Sequence, residues 1–309
     1  LKAGQSLDRA ALGESVASGL ARRKSFPVRI PVEYTIQPRP TRPTDPAMPH
    51  SHPIGIFDSG IGGLSVAAKV RELLPADDIL YVADSRHAPY GDKSDAFILE
   101  RMNTVTDFLL GQGAKAVVVA CNTATTSAIA QLRASWSVPI IGVEPGVKPA
   151  VLATRSGVVG VLATPRTLQT HSFSALAARF SSTVSIELQP CPDLVGQIEA
   201  LRFDDDRTLA LLNRYIAPLL EKGADTIVLG CTHYNYLADR IAQVAGPGVQ
   251  IVSTESAVAR EVVRRLACEE LLAKSGNSGD ETFYTSGELA VFSRQIDRLW
   301  GPGKTVLPL

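Results

Sequence analysis

The sequence has few of the features that define membrane, secreted or nucleic-acid-binding proteins. Its 31 lysines and arginines balance 31 aspartates and glutamates, and a formal net charge of zero argues against a broad electrostatic surface for nucleic acid or anionic lipid. No apolar run approaches the roughly 20 residues that span a bilayer. The first residues also lack the cationic and apolar segments of a signal peptide. We therefore predict a cytoplasmic protein that binds neither nucleic acid nor membrane.

Cysteine is also scarce, with 4 in 309 residues. Cys121, Cys191, Cys231 and Cys268 do not form the dense pattern of a disulfide framework, and reduced thiols are the rule in the cytosol. None belongs to a C-x-x-C pair, so a structural zinc site is not expected. The sequence predicts free thiols and no bound metal.

Residues 1–52 differ in composition from everything that follows. They contain a basic run at 22–24 and a proline-rich run at 37–49, and such segments favour extended or disordered chain. We predict an N-terminal extension outside the folded core, made of upstream or unstructured sequence. A regulatory arm is the alternative.

From residue 54 onward, short apolar runs alternate with helix-length periodic stretches, for example 63–74, 95–111, 165–180 and 206–222. Continuous β-branched runs that alternate with helices are typical of parallel sheets covered on both faces. The pattern therefore predicts an α/β fold. The strand candidates are Ile54–Phe57, Ile79–Ala83, Ala116–Ala120, Pro139–Val143, Val158–Leu162, Val184–Leu188, Thr226–Leu229 and Val249–Val252.

Ligands of such sheets bind beyond the carboxyl ends of the strands, and the residues there are unusual. The first strand leads into Asp58 and a glycine-rich loop, 58–63, which matches a nucleotide-binding loop only weakly. The third strand is followed by Cys121 at a predicted helix N-terminus. The helix dipole is expected to lower the pKa of a thiol at that position.

The arrangement around Cys121 recurs at Cys231, which again follows an apolar strand and precedes hydrogen-bonding side chains, including His233. The repeat predicts two similar halves, each presenting a thiol from a strand end. The pair is compatible with a dithiol redox centre, with metal ligation, with a Cys–His nucleophile or with an acid and a base on opposite faces of one carbon. A redox pair and a metal site would normally need a spacing motif that is missing here, and a Cys–His nucleophile would use only one thiol. An acid and a base on opposite faces of one carbon use both thiols and need no such motif. Asp58 and His233 are then candidates for tuning the thiols.

The segments 58–63, 89–91, 121–124 and 230–233 resemble, in order and spacing, the signature segments of glutamate racemases in the aspartate/glutamate racemase superfamily. The resemblance runs from about residue 54 to 287. It implies two similar α/β domains with the active site in the cleft between them, here 53–146 plus 256–309 and 147–255. It also implies a homodimer that interconverts L- and D-glutamate without pyridoxal phosphate or metal and supplies D-glutamate for peptidoglycan.

The same resemblance implies roles for individual residues. Cys121 would act on D-glutamate with help from Asp58, and Cys231 on L-glutamate with help from His233. Glu199 resembles the family's further acidic assistant. The residues implied in substrate binding are Asp58, Ser59, Tyr90, Gly91, Asn122, Thr123, Thr232 and His233.

Some positions depart from the family pattern, and some alternatives stay open. Asn235 and Tyr236 stand where the family commonly has Pro-Leu, and Arg166 stands at a usual glycine. Longer-armed relatives respond to a cell-wall nucleotide precursor, so such an activator is a candidate partner. The alternatives are a racemase of the same superfamily acting on aspartate or hydantoins, and a non-catalytic inhibitory protein on the same scaffold.

Overall fold

The computed structural model describes residues 52–273 and 278–309. The predicted extension, residues 1–52, lies outside the described residues except for His52, so that prediction stays untested. In the described part of the chain, no helix has the length and apolar character needed to cross a bilayer. The elements below all belong to one compact unit.

The strands of the described residues form two parallel sheets. They are β1 (Ile54–Asp58), β2 (Ile79–Ala83), β3 (Ala116–Val119), β4 (Ile140–Gly142), β5 (Val158–Ala163), β6 (Ser185–Pro190), β7 (Thr226–Leu229), β8 (Gln250–Val252), β9 (Glu281–Thr285) and β10 (Thr305–Pro308). The first sheet has the order β10-β9-β2-β1-β3-β4 and the second the order β6-β5-β7-β8. Every strand pair is parallel.

Helices connect the strands and cover the sheets. They are α1 (Leu64–Leu73), α2 (Asp95–Gly111), α3 (Asn122–Ser135), α4 (Val147–Ala153), α5 (Pro165–Gln169), α6 (His171–Ala178), α7 (Leu194–Glu199), α8 (Asp206–Glu221), α9 (Ala238–Ala245), α10 (Glu255–Cys268) and α11 (Leu289–Leu299). Short 3₁₀ helices cover Ser85–His87, Tyr90–Asp92 and Thr232–Leu237. The predicted fold class, two parallel sheets flanked by helices, is confirmed.

Two details differ from the sequence pattern. The helix predicted over 165–180 is two helices, because Thr170 has an extended backbone (ψ 145°) and its hydroxyl caps α6 by accepting from Phe173 N. Strands β9 and β10 were absent from the eight predicted. Three of the five residues of β9 are polar, and β10 is a mostly exposed edge strand, so neither has the continuous apolar run that marks a buried parallel strand.

The two sheets repeat one local topology. The order β2-β1-β3-β4 in the first sheet corresponds to β6-β5-β7-β8 in the second. The backbone confirms the equivalence beyond the strand ends, since Ala120 N donates to Phe57 O at 2.7 Å and Gly230 N donates to Leu162 O at 2.7 Å. The predicted domain division would place one sheet in each part, and its boundaries stay a prediction.

The central strands β1 and β3 of the first sheet are buried on both faces. Ile56 and Val118 belong to a core cluster that also contains residues of α1, α10 and α11. Phe57, Val117 and Val119 point the other way, into a cluster with α2 and α3. The larger cluster continues into the second sheet, so the loops at the carboxyl ends of the strands rest on a continuous apolar base.

Candidate active site

Three of the predicted catalytic side chains lie at carboxyl ends of strands. Asp58 ends β1, while Cys121 and Cys231 follow β3 and β7 at equivalent places in the two sheets. All three are buried, with relative exposures of 0%, 5% and 6%. The two thiols are near enough for the charge of Cys231 to raise the pKa of Cys121. The structure therefore brings both predicted thiols to one site.

On the Cys121 side, the partners come from the loop after β1. The thiol donates to Ser59 Oγ at 3.9 Å, and the Ser59 hydroxyl donates to Asp58 Oδ1 at 3.2 Å. Cys121 also caps α3, where its sulfur accepts from Ala124 N at 3.4 Å. A hydrogen-bonded path thus leads from the thiol to a buried carboxyl.

The pKa of Cys121 differs from the sequence expectation. Burial raises this pKa well above the usual range and the charge of Asp58 raises it further, whereas the hydrogen bond from the helix N-terminus lowers it by less. The helix N-terminus therefore acts in the expected direction, but the net pKa is raised, because desolvation of a thiolate outweighs one capping interaction. The resting form of Cys121 is the protonated thiol.

On the Cys231 side, the partners are an imidazole and a carboxylate. Cys231 Sγ lies 3.8 Å from His233 Nδ1, and His233 Nε2 lies 2.6 Å from Glu199 Oε1. Burial lowers the pKa of His233, but hydrogen bonds with Cys231 and Glu199 and the charges of Cys231 and Asp58 raise it to well above its usual range. His233 can therefore hold a proton beside the sulfur.

Asp58 joins the two sides. Its Oδ2 atom accepts a hydrogen bond from Thr232 Oγ1 at 3.0 Å, and Thr232 directly follows Cys231. Burial raises the pKa of Asp58 by more than the charge of His233 and the bond from Thr232 lower it. One carboxyl is consequently shared between the two thiol environments.

Gly62 explains why the loop after β1 is rich in glycine. A Cβ atom at this position would lie 2.3 Å from His233 Nδ1, 2.7 Å from Thr232 Oγ1 and 2.8 Å from Asp58 Oδ2. Tyr236, one of the departures from the family pattern, donates from its hydroxyl to Ile61 O at 3.1 Å. The loop is thus pressed against the Cys231 side, and only glycine fits at its closest point.

The predicted binding residues after Cys121 face the second sheet. Thr123 Oγ1 lies 3.0 Å from Thr164 Oγ1 and 3.1 Å from Thr167 Oγ1, and the last two are 2.9 Å apart. All three threonines are buried. Asn122 donates from Nδ2 to Val143 O at 3.3 Å, while its buried Oδ1 has no hydrogen-bond partner. That oxygen is available to a bound ligand.

The remaining predicted binding residues, Tyr90 and Gly91, lie beside this group. The Tyr90 hydroxyl donates to Asp84 Oδ2 at 2.6 Å, so its hydrogen is already engaged and the donor that Tyr90 can offer a substrate carboxylate is its backbone N–H. Gly91 approaches Thr164, whose Cβ would lie 3.2 Å from a Cβ at position 91.

Other features of the site carried little or no sequence signal. Gln295, on α11, contacts Glu199, and Asp84 binds Tyr90, His87 and Arg101. The Gln295 contact could have been suspected from the sequence, because a glutamine between the apolar positions of a helix is buried and needs a partner. Long-range pairs of this kind otherwise leave no local pattern.

The other two cysteines have no part in this arrangement. Cys191 is buried, Cys268 is exposed and both are free. Across residues 52–273 and 278–309, no group of three or more histidine, cysteine, aspartate or glutamate side chains is arranged to hold a metal ion. The chemistry that the described side chains offer is proton exchange with a ligand held between two thiols.

Comparisons with known proteins place the chain in a family. The model of the Asp/Glu/Hydantoin racemase family matches residues 54–262. A glutamate racemase of Methylococcus capsulatus is 51% identical over 84% of this chain and 96% of its own length. A glutamate racemase from Bacillus anthracis superposes with a TM-score of 0.77 at 31% identity, covering 84% of this chain and 98% of that one.

The glutamate racemase of Escherichia coli, solved in complex with L-glutamate and the activator UDP-MurNAc-Ala, gives a TM-score of 0.74 at 34% identity. The superposition covers 84% of this chain and 98% of that one. The residues matched by the family model, 54–262, contain strands β1 to β8 and both buried thiols. The chain therefore belongs to the Asp/Glu/Hydantoin racemase family and, within it, to the glutamate racemases.

Proposed function

We propose that this chain interconverts L- and D-glutamate without a cofactor, with Cys231 and Cys121 as the proton-exchanging groups on opposite faces of the substrate Cα. The observation that carries the proposal is the pair of buried thiols at equivalent strand ends, each with its own hydrogen-bonded partner. Inversion at an sp³ carbon by proton transfer removes a proton from one face and adds one to the other, and two groups on opposite faces supply a base and an acid for these steps. The substrate is proposed from the relative solved with L-glutamate.

For L-glutamate, the first step is proton removal by Cys231. His233 holds the thiol proton, which leaves a thiolate beside an imidazolium, and the raised pKa of His233 favours that state. The thiolate takes the Cα hydrogen, and the electron pair of the C–H bond is delocalised into the carboxylate. Cys121, resting as a thiol, donates its proton to the opposite face and becomes a thiolate. The product is D-glutamate.

For D-glutamate, the roles reverse. Cys121 must first release its proton, and the path through the Ser59 hydroxyl to Asp58 Oδ1 provides an acceptor. Asp58, whose pKa is raised by burial, is a better proton acceptor than an ordinary aspartate. The Cys121 thiolate then takes the Cα hydrogen, and Cys231 donates from the other face. Exclusion of water by burial protects the carbanion from unproductive protonation.

The proposal includes the substrate contacts, the assembly and the biological role. Ser59, Asn122, Thr123, Thr232 and the backbone at Tyr90 and Gly91 would hold the glutamate carboxylates and amino group. The protein would act as a homodimer in the cytoplasm, supplying D-glutamate for peptidoglycan. The relative solved with UDP-MurNAc-Ala supports testing this nucleotide as an activator, by measuring the rate with and without it.

The decisive experiment uses heavy water. Newly formed D-glutamate should carry deuterium at Cα from the earliest time points, because the donating thiol has equilibrated with solvent. The remaining L-glutamate should at first stay protiated. Substantial protium in the first product would indicate one group that moves a proton between faces, and would refute the two-thiol mechanism.

Two controls test the substrate and the absence of a cofactor. L-Aspartate and a hydantoin, assayed in parallel, should turn over much more slowly than L-glutamate. Equal turnover would contradict the proposed specificity for glutamate. Chelator-treated protein should keep its full rate, since the proposal routes every proton through a side chain. Activity that is lost on chelation and restored by zinc would overturn it.

A further inference from the structure

The last described helix, α11, carries a buried polar residue on its apolar face. Phe292 and Ile296 are 1% and 0% exposed and pack into the main core, and Gln295 between them is 4% exposed. Burial of a primary amide without a hydrogen-bond partner is strongly unfavourable, because the amide loses its bonds to water. The position of Gln295 therefore requires a specific partner.

That partner is Glu199, at the end of α7. Gln295 Nε2 donates to the backbone oxygen of Glu199 at 2.6 Å and to its Oε2 at 3.3 Å. The other carboxylate oxygen, Oε1, accepts from Ile61 N at 2.9 Å and lies 2.6 Å from His233 Nε2. Both oxygens of Glu199 are thus engaged, and Gln295 is the partner on the side away from the histidine.

We propose that Gln295 is a positioning residue that orients the Glu199 carboxylate, so that His233 presents Nδ1 to Cys231. The proposal rests on the function proposed above and assigns it a further residue. A carboxylate only accepts hydrogen bonds, so His233 Nε2 must carry a hydrogen. Nδ1, 3.8 Å from Cys231 Sγ, is then the nitrogen that exchanges a proton with the thiol. Donation from Gln295 to the backbone and side chain of Glu199 fixes the orientation of the carboxylate on which this tautomer depends.

Among the described residues, the ion-pair partner of Glu199 is His233. Other titratable groups that interact with Glu199 or His233 include Asp58, Tyr81, Tyr236 and Cys231, and none of these is a cation. A neutral amide at position 295 therefore provides a hydrogen without adding a charge. A carboxylate there would repel Glu199.

The test uses the two faces of the substrate. Gln295→Leu removes the amide but retains an apolar side chain of similar size, and Gln295→Met provides a second such variant should the first fold poorly. Because the enantiomers have equal free energy, kcat/KM must fall equally in both directions. We expect a loss of about tenfold, the scale of one hydrogen bond to a charged group.

The discriminating readout is the deuterium isotope effect on kcat/KM, measured with each enantiomer labelled at Cα. Slower proton transfer at Cys231 makes that step more rate-limiting. The isotope effect should therefore rise for labelled L-glutamate and fall for labelled D-glutamate. Gln295→Glu should produce the same asymmetry more strongly. The matched control is Ile296→Val, a packing change next to Gln295, which should leave both isotope effects as they are.

The outcomes separate this proposal from the one on which it rests. If the isotope effect instead rises for labelled D-glutamate, Gln295 would still act through Cys231. The assignment of Cys231 to L-glutamate would then be overturned. Isotope effects in the glutamine variants that match those of Ile296→Val would overturn the positioning role, even if heavy-water labelling still supported two thiols.

Discussion

The two thiols occupy equivalent places in two repeated sheets but have different chemical surroundings. Cys121 caps an α-helix and reaches a carboxyl through a serine hydroxyl. Cys231 begins a 3₁₀ helix, caps nothing with its side chain and pairs with an imidazole backed by Glu199. The repeat therefore determines where the sulfurs lie, and non-repeated side chains determine how each one gains and loses its proton. Enantiomers of equal energy do not require two equal bases.

The largest expected effect comes from removing either sulfur. Cys121→Ser and Cys231→Ser should each reduce racemisation by at least ~10²–10⁴-fold, the usual scale for a positioned acid or base. A hydroxyl is a far weaker acid than a thiol and cannot form the required anion. Initial rates by circular dichroism would measure the loss. Near-normal turnover in either variant would contradict the two-thiol mechanism, because that thiol would then have no role in proton transfer.

The partners of the thiols should give smaller, mirror-image effects. Asp58→Asn and His233→Gln each remove a proton acceptor while retaining a hydrogen-bonding side chain, and we expect losses of roughly 10²-fold, at the lower end of that scale. With labelled substrates, the isotope effect on kcat/KM should rise for D-glutamate in the first variant and for L-glutamate in the second. The same direction of change in both variants would show that the partners are not divided between the faces.

Stability provides another contrast between equivalent positions. Asp84 N donates to Asp58 O and Cys191 N donates to Ala163 O, each at 2.9 Å, so the two residues correspond in the repeat. Burial raises the pKa of Asp84, but hydrogen bonds from Arg101, Tyr90, His87 and Ser286 lower it by more, to about 2. A pKa lowered on folding stabilises the protein above the unfolded value and less so as the pH falls through the folded one.

Asp84→Asn should therefore lower the free energy of unfolding by about 2 kcal/mol at pH 7. The difference from the parent should shrink as the pH falls from about 4 towards 2. Cys191→Ala is the matched control, because its neutral thiol contributes packing and a hydrogen bond to Gln189 O, neither of which titrates here, and its cost should not change over this range. Urea unfolding at each pH measures both. A pH-independent cost for Asp84→Asn would exclude the ionised carboxylate as the cause.

The smallest effect is expected at the departure from the family pattern on α5. Arg166 Nη2 lies 2.5 Å from Asp95 Oδ1, which joins the second sheet's α5 to the first sheet's α2, and both side chains are partly exposed. A double-mutant cycle with Arg166→Gly and Asp95→Asn should give a coupling of about 0.2–1 kcal/mol in stability. Added salt should reduce it. Coupling that persists in high salt would indicate packing instead of charge.

The sequence predicted most of what depends on local pattern. Strands β1 to β8, the fold class and the meeting of both thiols at one site follow from apolar runs and from the rule that parallel strands end at one edge. Strands β9 and β10, the split at Thr170 and the Gln295–Glu199 contact did not follow. The pattern of β9 is too polar, β10 is an exposed edge strand, and the split depends on one capping hydroxyl. The contact joins residues far apart in the chain, and the roles of individual residues stay proposals.

The three threonine hydroxyls between the sheets can also be considered by counting hydrogens. Thr123, Thr164 and Thr167 form a closed triangle with sides of 2.9–3.1 Å, and three hydroxyl hydrogens serve three contacts. None is left over. If Thr123 turns its hydrogen to a substrate carboxylate, one side of the triangle loses its hydrogen bond. Tighter binding of glutamate by Thr123 would then weaken the contact between α3 and α5, because both depend on the same hydroxyl hydrogen.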